Sequence, residues 1–316
     1  MCALNVEKGM GLLMKKYIVL LFLIILFGFT FAFRRPLYNL YRTYFVKENK
    51  AVTLTKSNEY TRDYDFNYVS KTNNFTPINY QDLLNIYYTV LNSGIEEFSF
   101  YCPDKYSECI DDVDSLANNQ KVLSTINNFV HPFNSFRHLE TSYDDYGKVT
   151  LKIEHIYNSN DIKLIKAKVK EIENKIWNNS MSNEDKIKEA HNYIINNSKY
   201  DKNRSDNNIV KYKSDTAYGT ILEGYSLCGG YTDAMELFLE DMGVKSYKIS
   251  SENHVWNAVN LDNAWYHLDL TWDDPITTDG SDILEYNFFL ITTSELNELE
   301  NEQHNYDKNV YSELAT

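Results

Sequence analysis

The chain has 316 residues, 43% hydrophobic, 15% aromatic and 24% charged, with 31 Lys+Arg against 45 Asp+Glu and a formal net charge of −14. This composition excludes disordered and collagen-like chains, and four cysteines are too few for a disulfide scaffold. The length allows one large or two ordinary domains, and the acidic balance, with no basic stripe beyond residue 35, argues against a nucleic-acid partner.

Residues 17–33 form an uncharged apolar run between Lys15-Lys16 and Arg34-Arg35-Pro36. As a helix the run spans about 26 Å, slightly short of a hydrocarbon core of about 30 Å, and the flanking cations can snorkel. It reads as an uncleaved single-pass anchor or as a cleaved signal peptide, with Thr30-Phe31-Ala32 as a passable cleavage site. Either reading puts the rest of the chain outside the cytoplasm, at the cell membrane or secreted.

Residues 36–76 are polar and aromatic with little periodicity, which suggests a stalk, linker or wrapping segment. Pro77 then opens a helical pattern through Leu83, Leu84, Ile86, Tyr87, Val90 and Leu91 that stops at Gly94. Glu97 to Cys102 alternates like a strand, Val113 to Val130 reads as a single helix, and 135–142 with 148–157 reads as a β-hairpin. Residues 77–158 are therefore expected to be a small α+β unit without recognisable chemistry. Ile162, Ile165, Val169, Ile172 and Ile176 form one helical stripe. Ser182 with Asp185 resembles a capping box that opens the next helix.

Chemistry concentrates in residues 217–275. Cys228-Gly229-Gly230-Tyr231 runs into a helical pattern closed by Gly243, so Cys228 sits at or just before a helix N-terminus. Unpaired N–H groups and the positive dipole end favour a thiolate there, and the two glycines allow close backbone approach. The alternative is an inert buried cysteine. Downstream, 254–261 and 264–272 read as two strands joined by Asp262-Asn263, a pair that suits a turn with positive φ. With Leu261 opposite Ala264, one face collects Val255, Val259, Leu261, Ala264, Tyr266, Leu268 and Leu270, with Asn257 as its one polar member. The other face carries His254, Trp256, Ala258 and Asn260 against Trp265, His267, Asp269 and Thr271. There Asp269 lies across from Trp256 and diagonal to His254, within reach of its imidazole. His254 is the preferred base for a Cys228 nucleophile and His267 the competing one.

Cys228-Gly-Gly-Tyr231, His254-Val-Trp-Asn257 and Trp265-Tyr-His-Leu-Asp269-Leu-Thr-Trp-Asp-Asp-Pro275 resemble, in this order, the Cys, His and Asp blocks of the bacterial transglutaminase-like superfamily. Tyr200-Asp201 and Ala217-Tyr218-Gly219 are also similar to that group, and the resemblance covers roughly residues 185–275. It implies an α+β fold with a papain-like core, in which the nucleophile helix packs on an antiparallel sheet. It also implies Cys228 as nucleophile, His254 as general base and Asp269 as the group orienting the imidazole. Gly229, Tyr218 and Trp256 are candidates for substrate or oxyanion contacts, with the Cys228 backbone N–H as a first oxyanion donor.

The expected organisation is a membrane or signal segment (1–35), a stalk (36–76), an α+β unit (77–158) and a transglutaminase-like domain (159–316). The expected function is thiol-dependent acyl transfer on proteins or wall peptides by a tethered protease, amidase or transglutaminase-like enzyme. The rival is a surface binding or assembly module that keeps the fold but not the activity. No cofactor is implied. His131, His138, His155, His191 and His304 are scattered without ligand spacing, so no metal site is expected. Cys102 and Cys109, seven positions apart, either pair or remain free thiols.

Overall fold

The structure, a computed structural model, describes residues 2–45, 52–144, 146–276, 283–299 and 302–315; residues 46–51 of the expected stalk lie outside these. The N-terminal helix α1 (Cys2–Ala32) is followed by α2 (Arg34–Phe45). Among the described residues α1 is the one helix long and apolar enough to cross a membrane, and none of Lys15–Ala32 is buried against the rest of the chain. By length and composition it has the character shared by membrane anchors and signal sequences.

Helix α3 (Tyr80–Asn92) begins at Asn79, whose side chain accepts from the Asp82 N–H, and ends at Gly94, which adopts φ +69°. Strand β1 (Glu97–Tyr101) follows. The single helix expected over 113–130 is two, α4 (Cys109–Asn118) and α5 (Gln120–Asn128). Asn119 breaks them: it leaves helical geometry at ψ 83° and uses its side chain to cap the Val122 N–H, a local bond that competes with helix continuation. The hairpin forms as β2 (Phe136–Tyr143) and β3 (Lys148–His155), and β1 adds to it in the order β1-β3-β2. Cys102 and Cys109 are disulfide-bonded.

Next come α6 (Ser159–Ile176) and α7 (Asn183–Asn197), the latter opened by the expected capping box, with Ser182 and Asp185 each bonding the other's backbone N–H. Strand β4 (Lys199–Tyr200), helix α8 (Lys202–Asn207), a π-helical turn at Gly219–Glu223 and strand β5 (Tyr225–Ser226) lead to α9 (Cys228–Asp241). An antiparallel sheet of β6 (Ser246–Ser250), β7 (Val255–Leu261) and β8 (Ala264–Leu268) follows, with β7 in the centre, and α10 (Thr293–Glu298) begins the C-terminal tail. Strand β6 carries the alternation Ser-Tyr-Lys-Ile-Ser, too short a run for periodicity alone to single out.

The β7–β8 pairing has the expected register, with Asn257 opposite Leu268 and Leu261 opposite Ala264, and Asp262 and Asn263 take φ of 53° and 65° in the turn. Both faces of the hairpin are buried, the polar and aromatic one as well as the apolar one. Val259, Leu261, Leu268 and Leu270 pack with Ala234, Phe238 and the α6 and α7 stripes. On the opposite face Tyr247, Ile249, Trp256 and Ala258 share a core with Phe66, Phe129 and α3. Three tryptophans near a hairpin's second face suit burial better than solvent.

Of the readings for residues 36–76, the wrapping segment fits the part from Asn58 onward and the stalk does not. From Asn58 onward the chain lies against the body, with Phe66, Val69 and Phe75 buried. Buried Arg62 donates to Phe129 O at 3.1 Å, to Glu236 on α9 at 2.6 Å and to Glu240 at 2.6 Å. Lys248 meets Asp233 of α9 at 3.0 Å and Ser135 at 3.2 Å. Buried polar bonds therefore tie the α+β unit and its leader to the nucleophile-bearing helix across the boundary expected at 158.

Candidate active site

Cys228 opens α9. Its N-cap neighbour is Leu227, which has no side-chain oxygen to offer, so the first-turn N–H groups have no side-chain cap and face outward from the positive helix end. Gly230 is required by packing: a Cβ there would stand 2.4 Å from Ser214 O and 2.6 Å from Thr220 Oγ1. At Gly229 it would stand 3.0 Å from Asp215 O. The glycines therefore let the 213–216 turn close over the helix start. The Thr232 hydroxyl lies 2.7 Å from Cys228 O and 3.0 Å from Val255 O, and the Asn257 amide donates to Thr232 O at 3.2 Å. These bonds explain the single polar residue on the apolar face of β7. They also fix the height of α9 relative to the strand that begins beside His254.

His254 precedes β7 and is nearly buried. Its Nε2 lies 2.5 Å from Asp269 Oδ2, and Cys228 is near enough to favour charge on the ring. Asp269 is not in a strand, as β8 stops at Leu268. Asp269 Oδ1 accepts the N–H groups of Thr271 at 2.9 Å and Trp272 at 3.3 Å, and this turn both ends the strand and aims the other carboxylate oxygen at His254. Burial works against charge on His254, but the Asp269 carboxylate and the contact with Cys228 outweigh it and raise its pKa to about 10. Burial likewise opposes charge on Asp269, and His254 together with a hydrogen bond from His304 overcomes it, holding the carboxyl well below the usual range.

His267 does not compete as the base. The Trp256 indole N–H donates to His267 Nδ1 at 3.0 Å, which requires that nitrogen to be bare. Its Nε2 donates to Thr293 Oγ1 at 3.0 Å, and the Thr293 hydroxyl donates in turn to Leu314 O at 2.6 Å. Burial and the neighbouring His304 lower the pKa of His267 to about 3. Trp256 is corrected in turn: it is 1% exposed, stacks on His254 at 5.6 Å between ring centroids, and its one N–H is taken by His267, so it forms a wall and offers no donor to a substrate. Tyr218 enters the π-helical turn with the Lys213 ammonium 4.1 Å above its ring, and among the described residues no hydrogen bond joins it to Cys228 or His254.

His304, in the sequence one of several scattered histidines, lies in this site. It sits in a short 3₁₀ turn (Glu302–His304), and its Nε2 is 2.8 Å from the same Oδ2 of Asp269 that His254 uses. It lies 35 residues from Asp269 with no spacing signature, so only the folded tail reveals it. The ligand atoms of His254, Asp269 and His304 all lie within 4.8 Å of one another. The set does not fit a tetrahedral zinc as it stands. Ligands about 2.0–2.1 Å from such an ion stand about 3.3 Å apart, whereas these nitrogens approach the oxygen to 2.5 and 2.8 Å, the distances of N–H donors on a carboxylate.

The chain matches no protein-family profile and no curated protein. Two solved structures are similar to it over part of its length. One is a transglutaminase, at 13% identity and a TM-score of 0.31 over 46% of this chain and 48% of that one. The other is a candidate cysteine protease from Cytophaga hutchinsonii, at 14% identity and a TM-score of 0.26 over 46% of this chain and 65% of that one. The match thus spans between about half and two thirds of each neighbour.

Proposed function

We propose that the protein is a membrane-tethered, extracytoplasmic cysteine acyl-transfer enzyme in which Cys228 is the nucleophile, His254 the acid and base, and Asp269 the group that orients His254. The observation that carries this reading is the line Cys228–His254–Asp269. A partly exposed cysteine at an uncapped helix start favours charge on an imidazole whose Nε2 is 2.5 Å from a buried carboxylate. The Cys228 sulfur attacks a peptide or carboxamide carbonyl carbon, and the C–O π electrons move to the oxygen, stabilised by first-turn N–H groups of α9. Collapse breaks the C–N bond, His254 delivers its proton to the leaving amine, and a thioester remains on Cys228. His254, now neutral, takes a proton from water or from a second amine as that group attacks the thioester, releasing acid or transferred amide and restoring the imidazolium. Asp269 stays ionised throughout and keeps the Nε2 proton in place.

The apolar helix α1 supports a tether, and the Cys102–Cys109 bond supports an oxidising compartment, where disulfides persist. Protein or wall-peptide amides are the substrate class. The reading is tested by the iodoacetamide alkylation rate of Cys228 in the full chain at pH 7, compared with His254→Ala. A fall of tenfold or more in the variant is expected. Equal rates would mean that no working pair exists, and the chain would then be a binding module on the same fold.

A further inference from the structure

Two imidazoles meet one oxygen. Asp269 Oδ2 has His254 Nε2 at 2.5 Å and His304 Nε2 at 2.8 Å, while Oδ1 is saturated by the backbone of Thr271 and Trp272. An ionised carboxylate has no proton to give, so each nitrogen facing Oδ2 must bring its own. The His304 ring is held in place to donate: it stacks on Phe288 (4.8 Å, 14°) and meets Trp256 edge-on (4.8 Å, 71°). Its Nδ1 is buried without a partner, so the bond to Asp269 is the one polar contact among the described residues that fixes its orientation.

From this geometry we infer that His304 is a positioning residue that shares Asp269 with His254 and so weakens the carboxylate's hold on the His254 proton. The inference rests on the Cys228–His254–Asp269 reading, but its readout is the state of two rings rather than turnover. A donor on a carboxylate oxygen delocalises its charge whether the donor is neutral or cationic, so the direction of the effect does not depend on the charge of His304. The chemical consequence is specific. An imidazolium gripped by a buried, unshared carboxylate is a reluctant acid, and proton transfer is most efficient when the acid's strength lies near the working pH. Sharing Asp269 moves His254 toward that condition. The other groups facing this cluster are Cys228 from α9, His267 behind Trp256 on β8, Lys308 of the tail, and the buried His191–Asp273 pair (3.0 Å), whose carboxylate acts on Asp269 across the turn after β8. None of these touches Oδ2 in the described structure, so substitution at position 304 isolates the sharing.

The test is histidine side-chain ¹⁵N and ¹H NMR on the full chain in detergent micelles, comparing wild type with His304→Phe, which refills the aromatic cage without a donor, and His304→Gln, which restores an amide donor at the Nε2 position. In His304→Phe the His254 midpoint is expected to rise by about one pH unit, and its Nε2 proton to move downfield at pH 7, as one donor is lost from the carboxylate. His304→Gln should bring both readings back toward wild type. An unchanged His254 midpoint and proton shift in a folded His304→Phe chain overturns the inference, as does a Phe-like reading from His304→Gln. If His304→Phe does not fold, the wild-type spectrum still decides: the inference requires a hydrogen-bonded proton on His304 Nε2, and an Nε2 without one refutes it. Failure of the alkylation test at Cys228 would sink the enzyme reading and leave these ring readouts intact, so the two failures are distinguishable.

Discussion

The surroundings of His254 and of His267 sit on one side of the same sheet, both nearly buried, yet they drive their histidines in opposite directions. His254 meets a carboxylate and a thiol and is raised to about 10, whereas His267 meets an indole N–H and a threonine hydroxyl and falls to about 3. Burial disfavours charge at both sites, so the difference is made by partners. One region keeps a proton ready to move. The other passes hydrogen bonds in a fixed direction from Trp256 to Leu314 and pins the tail that delivers His304.

The largest effect should come from the partner that makes the difference. Asp269→Asn is expected to lower turnover of an amide substrate by about 10³–10⁴ and to bring the His254 titration down from about 10 toward its ordinary 6.5; kinetics with ¹⁵N NMR would check both. A His254 midpoint still near 10 would show that Asp269 is not what separates the two histidines. His254→Ala should slow Cys228 alkylation at least tenfold, while His267→Gln should leave it within about twofold, since Cys228 acts on the charge of the first histidine and not of the second. Equal losses would erase the distinction.

Thr293→Val removes the hydroxyl between His267 Nε2 and Leu314 O. It should cost about 1–2 kcal/mol in denaturant unfolding with little change in the alkylation rate of Cys228. The same two histidines set stability against pH. His254, raised from 6.5 to about 10, contributes stability fully present below pH 6.5 and lost as pH rises through about 10. His267, lowered from 6.5 to about 3, contributes stability present above pH 6.5 and lost as pH falls toward 3. The denaturation midpoint should therefore peak near pH 6.5, with His254→Ala flattening the alkaline flank and His267→Gln the acidic one. Flanks unchanged by these variants would mean that other groups set the pH dependence.

Much of the local structure was legible because local rules govern it. The Asp262-Asn263 turn set the β7–β8 register, Ser182 and Asp185 set the start of α7, and Gly229-Gly230 marked a tight helix entry. The pairing of His254 with Asp269 followed from that register and a small adjustment where the strand ends. The single helix over 113–130 failed at Asn119, where side-chain capping beat helix continuation. Stalk and wrapping segment could not be told apart in the sequence because Arg62, a charged residue in a polar segment, finds its partners about 175 positions away on α9, a distance no periodicity reports.

Periodicity, turn chemistry and ordered motif blocks are all carried by residues close in the chain. From them alone come the apolar N-terminal helix, the helix bearing Cys228, the hairpin and the candidate partners of the thiol. Folding in three dimensions was needed to bury the hairpin's second face, to make Trp256 a wall, to keep His267 neutral and to bring His304 to Asp269. Protonation and exposure are set by whatever packs within a few ångströms, and here those neighbours include a leader whose Phe66 packs on Tyr247 of β6 and a tail whose His304 bonds Asp269, both distant in the chain from the residues they meet.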